Sequence, residues 1–544
     1  MGSRYCGGAA LMLWVGSGCG QSKPARPMHI VPSSDADTGE ASTDTAAPRD
    51  VERFILGAVV PCDAPLDDVV YEEVGAQMGL QAGLNDPQEH SEGGLAAVAD
   101  LDQDGDLDIV MGFRDESPVL YSRDGERFSR SYLPFDNEPM MMSLADVDQN
   151  GWLDVVIARR DGAVLRNGPS GWTSVPLPMP PEGMEALAIK GYAVGDLNGD
   201  GAVDLYAYNS TRFPDTDLAR DYVLLNDGAG NFELQPEAVP EVFGRRRAFD
   251  AQLFDWDDDG DLDVYVVNEM TELRSLVDEP LANGSFLLEN DGGVLRSANE
   301  SCACEMDVDG MGVDISDTNG DGRPDIYIGA THGTWLIEML DDRSFVDVTL
   351  VRQADPVDTL GPMAWGVRSL DFDNDGLQDF VVTQGDLWHE FSLDPWVQPQ
   401  PFELLRQVSG EGGRYEKVSE DYGFGRLGSW RTVVAMDHNN DGVLDPLITD
   451  VWRQPLLFMS QGCTANSWLA VEAPLSAKVE MTANGRTQTA WISTDSSYGG
   501  AMAPVVHFGL GASEQVDEVV VTMLGGDRVV VPGPFGGRRK VRVQ

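Results

Sequence analysis

Seven short stretches of this chain repeat one arrangement of oxygen-bearing side chains, Asp-x-Asp/Asn-x-Asp/Asn-Gly-x-x-Asp. The candidate metal ligands are Asp100, Asp102, Asp104 and Asp108 in the first copy and Asp146, Asp148, Asn150 and Asp154 in the second. Asp196, Asn198, Asp200 and Asp204 make the third, and Asp255, Asp257, Asp259 and Asp263 the fourth. The last three are Asp317, Asn319, Asp321 and Asp325, then Asp371, Asp373, Asp375 and Asp379, then Asp437, Asn439, Asp441 and Asp445. Hard cations such as Ca2+ take six to eight oxygens, and positions one, three and five of a tight loop can turn carboxylates or amides inward. Glycine at position six permits the sharp turn, position seven offers a backbone carbonyl, and the Asp at nine can close the site. Without a cation these carboxylates repel, at about 4 kcal/mol for a pair ~4 Å apart in an effective dielectric near 20. Up to seven Ca2+ ions are expected, held most tightly by the four-carboxylate loops that begin at Asp100, Asp255 and Asp371.

The elements that position these loops read as strands. An EF-hand needs Glu at position twelve and helices on both sides, whereas Met111, Ile157, Ala207, Val266, Ile328, Val382 and Ile448 stand there. Ala96–Ala99 and Ile109–Met111 flank the first loop, and Val264–Val267 and Ile326–Ile328 follow later ones, all with β-rich character. Between loops there is room for two more strands, as in Tyr222–Leu225 and Asn231–Leu234 on either side of Asn226-Asp227-Gly228. Loop starts lie 46 to 66 residues apart, which suits a four-stranded blade. The predicted fold is all-β: a seven-bladed β-propeller with Ca-binding hairpin loops, followed by a small C-terminal β-sandwich-like domain. A linear stack of the same units would expose apolar faces at both ends unless capped.

Composition narrows the function. With 42% hydrophobic residues, 12 Trp and 60 Gly, the bulk of the chain is folded and turn-rich. Its 91 acidic side chains against 37 Lys and Arg, a net charge of −54, exclude a nucleic-acid partner held by phosphate neutralisation. The loops use 24 of those carboxylates, leaving a large excess that metal binding does not explain. Residues 1–19 read as a lipoprotein-type signal peptide, with Arg4, the apolar Tyr5–Val15 and small residues ahead of Cys19. A lipid on Cys19 would be the membrane anchor of an exported outer-membrane or cell-surface protein; an ordinary secretory peptide cut near the same place would leave the chain secreted. Residues 20–60 are expected to be a flexible tether, 61–463 the propeller and 464–544 the terminal β domain. Cys62, Cys302, Cys304 and Cys463 suggest two disulfides, with three connectivities open. The six His (His29, His90, His332, His389, His438, His507) show neither zinc nor triad spacing. His438 falls at position two of the seventh loop, where side chains point away from an ion.

Over about residues 65–463 the loops and strands together resemble the FG-GAP and VCBS repeat proteins, whose propellers are similar to the head of integrin α subunits. That resemblance implies calcium in the strand-joining loops. His507-Phe508-Gly509-Leu510-Gly511 and Val516-Asp517 resemble the ASPIC and UnbV domain, as in the cartilage acidic proteins. With no acid or nucleophile at a telling spacing, His507 is expected to be structural, between strands. After the seventh loop Leu456–Met459 reads as a third strand, and no fourth follows before Trp468. Val69–Val74 is expected to supply it, which would bring Cys62 and Cys463 together as a bridge locking the ring. The function expected is that of a non-catalytic, calcium-binding, surface-tethered monomer that binds a protein or carbohydrate ligand. Trp388, His389 and Trp396 are candidates for its recognition surface or for rim aromatics. An exported calcium-dependent polysaccharide hydrolase or lyase is the second expectation.

Overall fold

The computed structural model describes residues 53–80, 94–113, 116–159, 162–179, 189–210, 221–240, 247–269, 284–356, 363–385, 399–408, 413–451 and 453–544. The signal segment with Cys19, most of the tether, and Trp388, His389 and Trp396 lie outside the described residues.

Among the described residues, seven sheets each carry four antiparallel strands, the first joined by a fifth, parallel strand and the seventh completed by an N-terminal one. Blade one consists of Leu95–Ala99, Asp108–Gly112, Val119–Asp124 and Arg127–Tyr132. The inner strands of blades two to seven are Met141–Ala145, Ile189–Gly195, Ala248–Phe254, Gly310–Ser316, Ala364–Leu370 and Trp430–Met436. Each inner strand packs on the next, and that of blade seven packs on that of blade one, so the sheets close into a β-propeller. Burial follows from this ring. Leu95–Ala99 and Asp108–Gly112 are buried at every residue, because neighbouring blades cover both faces, and they read as continuous apolar runs. The outermost strand, Arg127–Tyr132, buries Phe128 alone. Each Val, Leu or Ile taken fully out of water contributes about 1.5–3 kcal/mol.

The ring closes as expected. Tyr71–Glu73 pairs antiparallel with Leu456–Ser460, Tyr71 opposite Ser460, and completes blade seven. Cys62 and Cys463 are bonded beside this junction, with Cα atoms 6.0 Å apart, and Cys302 is bonded to Cys304.

The terminal domain is a sandwich of two four-stranded sheets. One contains Ser467–Glu472, Val505–Gly511 and Arg539–Val543, the other Lys478–Ala483, Arg486–Trp491, Gln515–Thr522 and Arg528–Gly536. Leu469, Val471, Val479, Met481, Phe508, Val519, Val531 and Val541 fill the space between them. Two expected boundaries shift. The tether does not run to residue 60, because Phe54–Leu56 forms the fourth strand of the first sheet, pairing with Arg539–Val543 while Phe54 packs on the core. Nor does the sandwich hold all of 464–544. Its segment 493–503 leaves the sheets and runs among the propeller's inner strands.

That segment touches every blade. Gly500–Met502 adds in parallel to the inner strand of blade one. Thr494 Oγ1 donates to the Leu144 carbonyl of blade two (2.6 Å), and Asp495 takes a backbone hydrogen bond from Val194 of blade three. Tyr498 stacks on Phe249 of blade four and lies edge-on to Trp365 of blade six. In blade five, a Cβ on Gly312 would lie 2.7 Å from Ser497 Oγ, so only glycine leaves room. Val367 of blade six donates to Ser497 Oγ (2.8 Å), and Thr432 of blade seven donates to the Tyr498 carbonyl (2.6 Å). The segment therefore plugs the channel, with hydrogen bonds to blades one, two, three, six and seven, a ring stack on blade four and close contact with blade five.

Candidate metal centres

Each repeated loop joins the inner strand of a blade to its second strand, and one hydrogen-bond register recurs in all seven. The position-six N–H donates to the position-one carboxylate at 2.7–3.1 Å. The position-seven N–H donates to the oxygen of position five at 2.7–3.1 Å. Glycine at six has φ between 84° and 96°, in the left-handed region that an L side chain enters only at a cost.

The Asp at position nine has a role that spacing alone did not reveal. Its Oδ2 accepts the position-two N–H of its own loop at 2.8–3.3 Å. Its Oδ1 accepts an N–H from the third strand of the same blade at 2.7–3.0 Å. All seven are at most 1% exposed. Expected to close the metal site, this residue also clamps the loop to the blade.

The carboxylates gather where the sequence places most of them. Asp100, Asp102 and Asp108 offer oxygens within 4.8 Å of one another, as do Asp146, Asp148 and Asp154, Asp255, Asp257 and Asp259, and Asp371, Asp373 and Asp379. Asp263 is not part of the fourth cluster. The loops with Asn at position three form no such three-carboxylate cluster among the described residues. In two of them the amide turns on a neighbour instead, Asn198 Nδ2 donating to Asp200 and Asn439 Nδ2 to Asp441, both at 3.0 Å. In loop five the Asn319 oxygen accepts from the Asp321 N–H (2.9 Å).

Two observations indicate that these residues fit a cation. Asp100 Oδ1, Asp148 Oδ1 and Asp257 Oδ1 are buried oxygens with no hydrogen-bond partner, an arrangement that costs free energy unless something positive meets them. Burial also pushes Asp108, Asp154, Asp204 and Asp437 up to about 7 and Asp263 to about 8. It raises Asp325, Asp371, Asp379 and Asp445 well above the usual carboxylate range. The donors are carboxylate and amide oxygens, and several of these acidic clusters could hold a metal ion.

Neighbouring loops are tied together by residues with no sequence signal of their own. Asn226 and Asn290 end third strands and Asn167 directly follows one, and each donates its side-chain amide to the position-two carbonyl of the preceding blade's loop, at Val147, Leu197 and Leu101 respectively (2.7–2.8 Å). Gln407 does the same to Thr318 (2.8 Å), and Arg123 of blade one reaches the His438 carbonyl of loop seven, carrying the series across the closure. In the other direction Gln103, Gln149 and Asn374, all with positive φ at position four, donate to the position-six carbonyl of the next loop (2.7–2.9 Å). The shared signal is Asn or Gln at equivalent positions of successive repeats.

His438 gives its backbone N–H to Asp445, and burial, then the Arg123 charge, pushes its ring down to about 3. His507 sits at the junction with the propeller rather than only between strands. Its Nε2 lies 2.7 Å from Asn374 Oδ1 in loop six, its ring stacks on Trp468, and burial pushes it down to about 4. Beside loop one, a cleft of about 260 Å3 is lined by Trp152, Trp172, Leu101, Leu120 and Asp102.

Residues 100–157, 146–207, 196–266 and 317–382 match the FG-GAP-like repeat, and residues 472–531 match ASPIC and UnbV. No curated protein matches significantly. Among solved structures, BBS1N in complex with ARL6DN, soaked with mercury, is similar over 72% of this chain and 97% of that one, at 9% identity and a TM-score of 0.43. YCF48 bound to D1 peptide is similar over 74% and 99%, at 10% identity and a TM-score of 0.39. Four stretches of this chain thus match the FG-GAP-like repeat, and one C-terminal stretch matches ASPIC and UnbV.

Proposed function

We propose that the chain is a calcium-loaded, non-catalytic interaction module, exported and surface-tethered, which binds a protein or glycan ligand. The observation that carries the reading is the loop register repeated seven times, with three carboxylates converging in four of the loops (positions one, three and nine in loops one, two and six; one, three and five in loop four) and some of their oxygens left buried without a hydrogen-bond partner. Asp or Asn at those positions, with the position-seven carbonyl, would hold Ca2+, and the ion when bound neutralises carboxylates that burial otherwise drives to protonate. The loop carboxylates are engaged with backbone N–H groups, which suits a scaffold better than general acid–base work. The cleft between Trp152 and Trp172, with Asp102 at its edge, offers aromatic faces to a ligand.

Metal analysis of the purified protein and melting curves with and without chelator test this reading. At ten times its dissociation constant each site contributes about 1.4 kcal/mol, so several filled sites shift stability by many kcal/mol if additive. Chelation is expected to lower the melting temperature by several degrees, with Mg2+ restoring it poorly. A melting curve indifferent to EDTA refutes occupancy, and robust glycan turnover in a degradation screen refutes the non-catalytic reading.

A further inference from the structure

We propose that loop six, Asp371–Asp379, is a divalent-cation site at the junction of the two domains, and that a cation there locks the sandwich and its channel segment onto the propeller. The proposal rests on the reading of these loops as cation sites and gives one of them a distinct task.

Loop six differs from the others in what covers it. Of the four carboxylate clusters, it is the one whose three members are all buried, with Asp371, Asp373 and Asp379 at 1%, 4% and 1% exposure. In loop one the position-three and position-five carboxylates, Asp102 and Asp104, are exposed. The cover is the C-terminal domain. Gly511 N–H donates to the Asn374 carbonyl (2.8 Å), Asn466 Nδ2 donates to the Asp373 carbonyl (2.9 Å), and His507 Nε2 meets Asn374 Oδ1 (2.7 Å). Gly509 passes so close that a Cβ there would lie 1.9 Å from Asp371 Oδ2. The inner strand leading into the loop is held by the same domain, through Val367 and Ser497.

The charge at this junction is unbalanced. Asp371, Asp373, Asp375 and Asp379 face two guanidiniums: Arg406, 2.5 Å from Asp373, and Arg486, near Asp375. Asp68 adds another negative charge beside Asp373. Asp371, Asp373 and Asp379 are buried while Asp375 and Asp68 keep contact with solvent. Three carboxylates therefore share a covered pocket with one ion-paired guanidinium at its edge, a set that a divalent cation would balance. The sandwich grips loop six by its backbone carbonyls and by Asn374, so whatever fixes the loop's shape strengthens the docking. By linkage the docking strengthens cation binding by the same factor.

The test compares Asp373→Asn with Asp102→Asn, the same loop position away from the sandwich, in the full chain with saturating Ca2+. Hydrogen exchange of residues 493–511 is the readout, and Arg406→Gln separates loss of the cation from loss of the ion pair. Exchange in 493–511 should speed on the order of tenfold in D373N, as with EDTA, while D102N and R406Q stay protected. Gly509→Ala should reciprocally weaken one Ca2+ site by a similar factor in titration calorimetry. Equal protection in D373N and D102N, with Ca2+ bound to the parent chain, overturns the lock alone. A parent chain that binds no Ca2+ in direct metal analysis overturns the cation reading and the lock together.

Discussion

Replacing Asp204 by Asn separates the two jobs that a loop carboxylate can hold. Asp204 accepts the Leu197 N–H at 3.0 Å and the Asn226 N–H at 2.8 Å, one on each oxygen, at 0% exposure. Asn keeps one acceptor and turns an NH2 toward the other N–H. One hydrogen bond to a charged group is lost, worth about 1.5–3 kcal/mol, and a buried donor is left unmade at about 1–3 kcal/mol. Removing a buried charge offsets part of this, so a net loss of about 2–4 kcal/mol is expected. Glu52–Gln544 is one compact unit; were it to melt as a whole, at ~2.1 cal/mol/K per residue its unfolding entropy would be about 1 kcal/mol/K. The melting temperature should therefore fall by roughly 2–4 °C, measured by calorimetry. The informative comparison is Asp200→Asn, at the exposed fifth position of the same loop. D204N should keep its deficit in EDTA, because the clamp is made of backbone hydrogen bonds, whereas D200N should lose its deficit when the metal is removed. If the D204N deficit vanishes in EDTA, Asp204 acts as a ligand only and the clamp argument fails.

Two further outcomes follow from side chains that bridge distant parts of the chain. Arg123→Ala removes the link between blade one and the His438 carbonyl of loop seven. It should cost about 1–2 kcal/mol and raise amide exchange in blades one and seven more than in blade four; uniform exchange would count against a closure role. Asp495 in the channel segment is raised to about 7, by burial above all. Its unfolded value is near 4, so the folded state holds the extra proton between those limits, and stability falls as pH rises from about 4 to 7 and levels off above. Because the side chain keeps partial exposure, the loss is roughly 1–2 kcal/mol rather than the ~4 that three pH units would give. In saturating Ca2+, Asp495→Asn should flatten the pH profile of the melting temperature over that window, and an unchanged profile would show that the group titrates normally.

What the sequence disclosed follows from how strictly each feature constrains residue type. The loops were legible because a cation site needs oxygens at fixed positions and glycine at six. The closure was legible by counting strands, since Leu456–Ser460 lacked a partner and Tyr71–Glu73 lacked a blade. The channel segment was not legible. Ser493–Ala503 is short, polar and glycine-bearing, which reads as a surface loop. Its burial comes from seven strands far away in sequence, none of which marks it. Phe54–Leu56 escaped notice for a similar reason, as three residues beside a low-complexity stretch whose partner is the last strand of the chain. Arg528–Gly536 was obscured by Pro532 and Pro534, which suit an edge strand. The latches at Asn167, Asn226 and Asn290 needed the geometry of neighbouring blades before a common task could be seen.

The pairing of Phe54–Leu56 with Arg539–Val543 has a consequence for how the molecule is made. Blade seven needs a strand near residue 71 that waits for one near residue 460, and at ~5–20 residues/s that wait lasts on the order of 20–80 s. During it the early blades have no closed neighbour, and the edge of blade one lies open to any other strand. The sandwich, and with it the channel segment, cannot assemble fully until the residues after 538 exist. Closure of the ring and of the sandwich is thus deferred until the late strands exist. That deferral makes a prematurely ended chain recognisable to proteases by the strands it leaves unpaired.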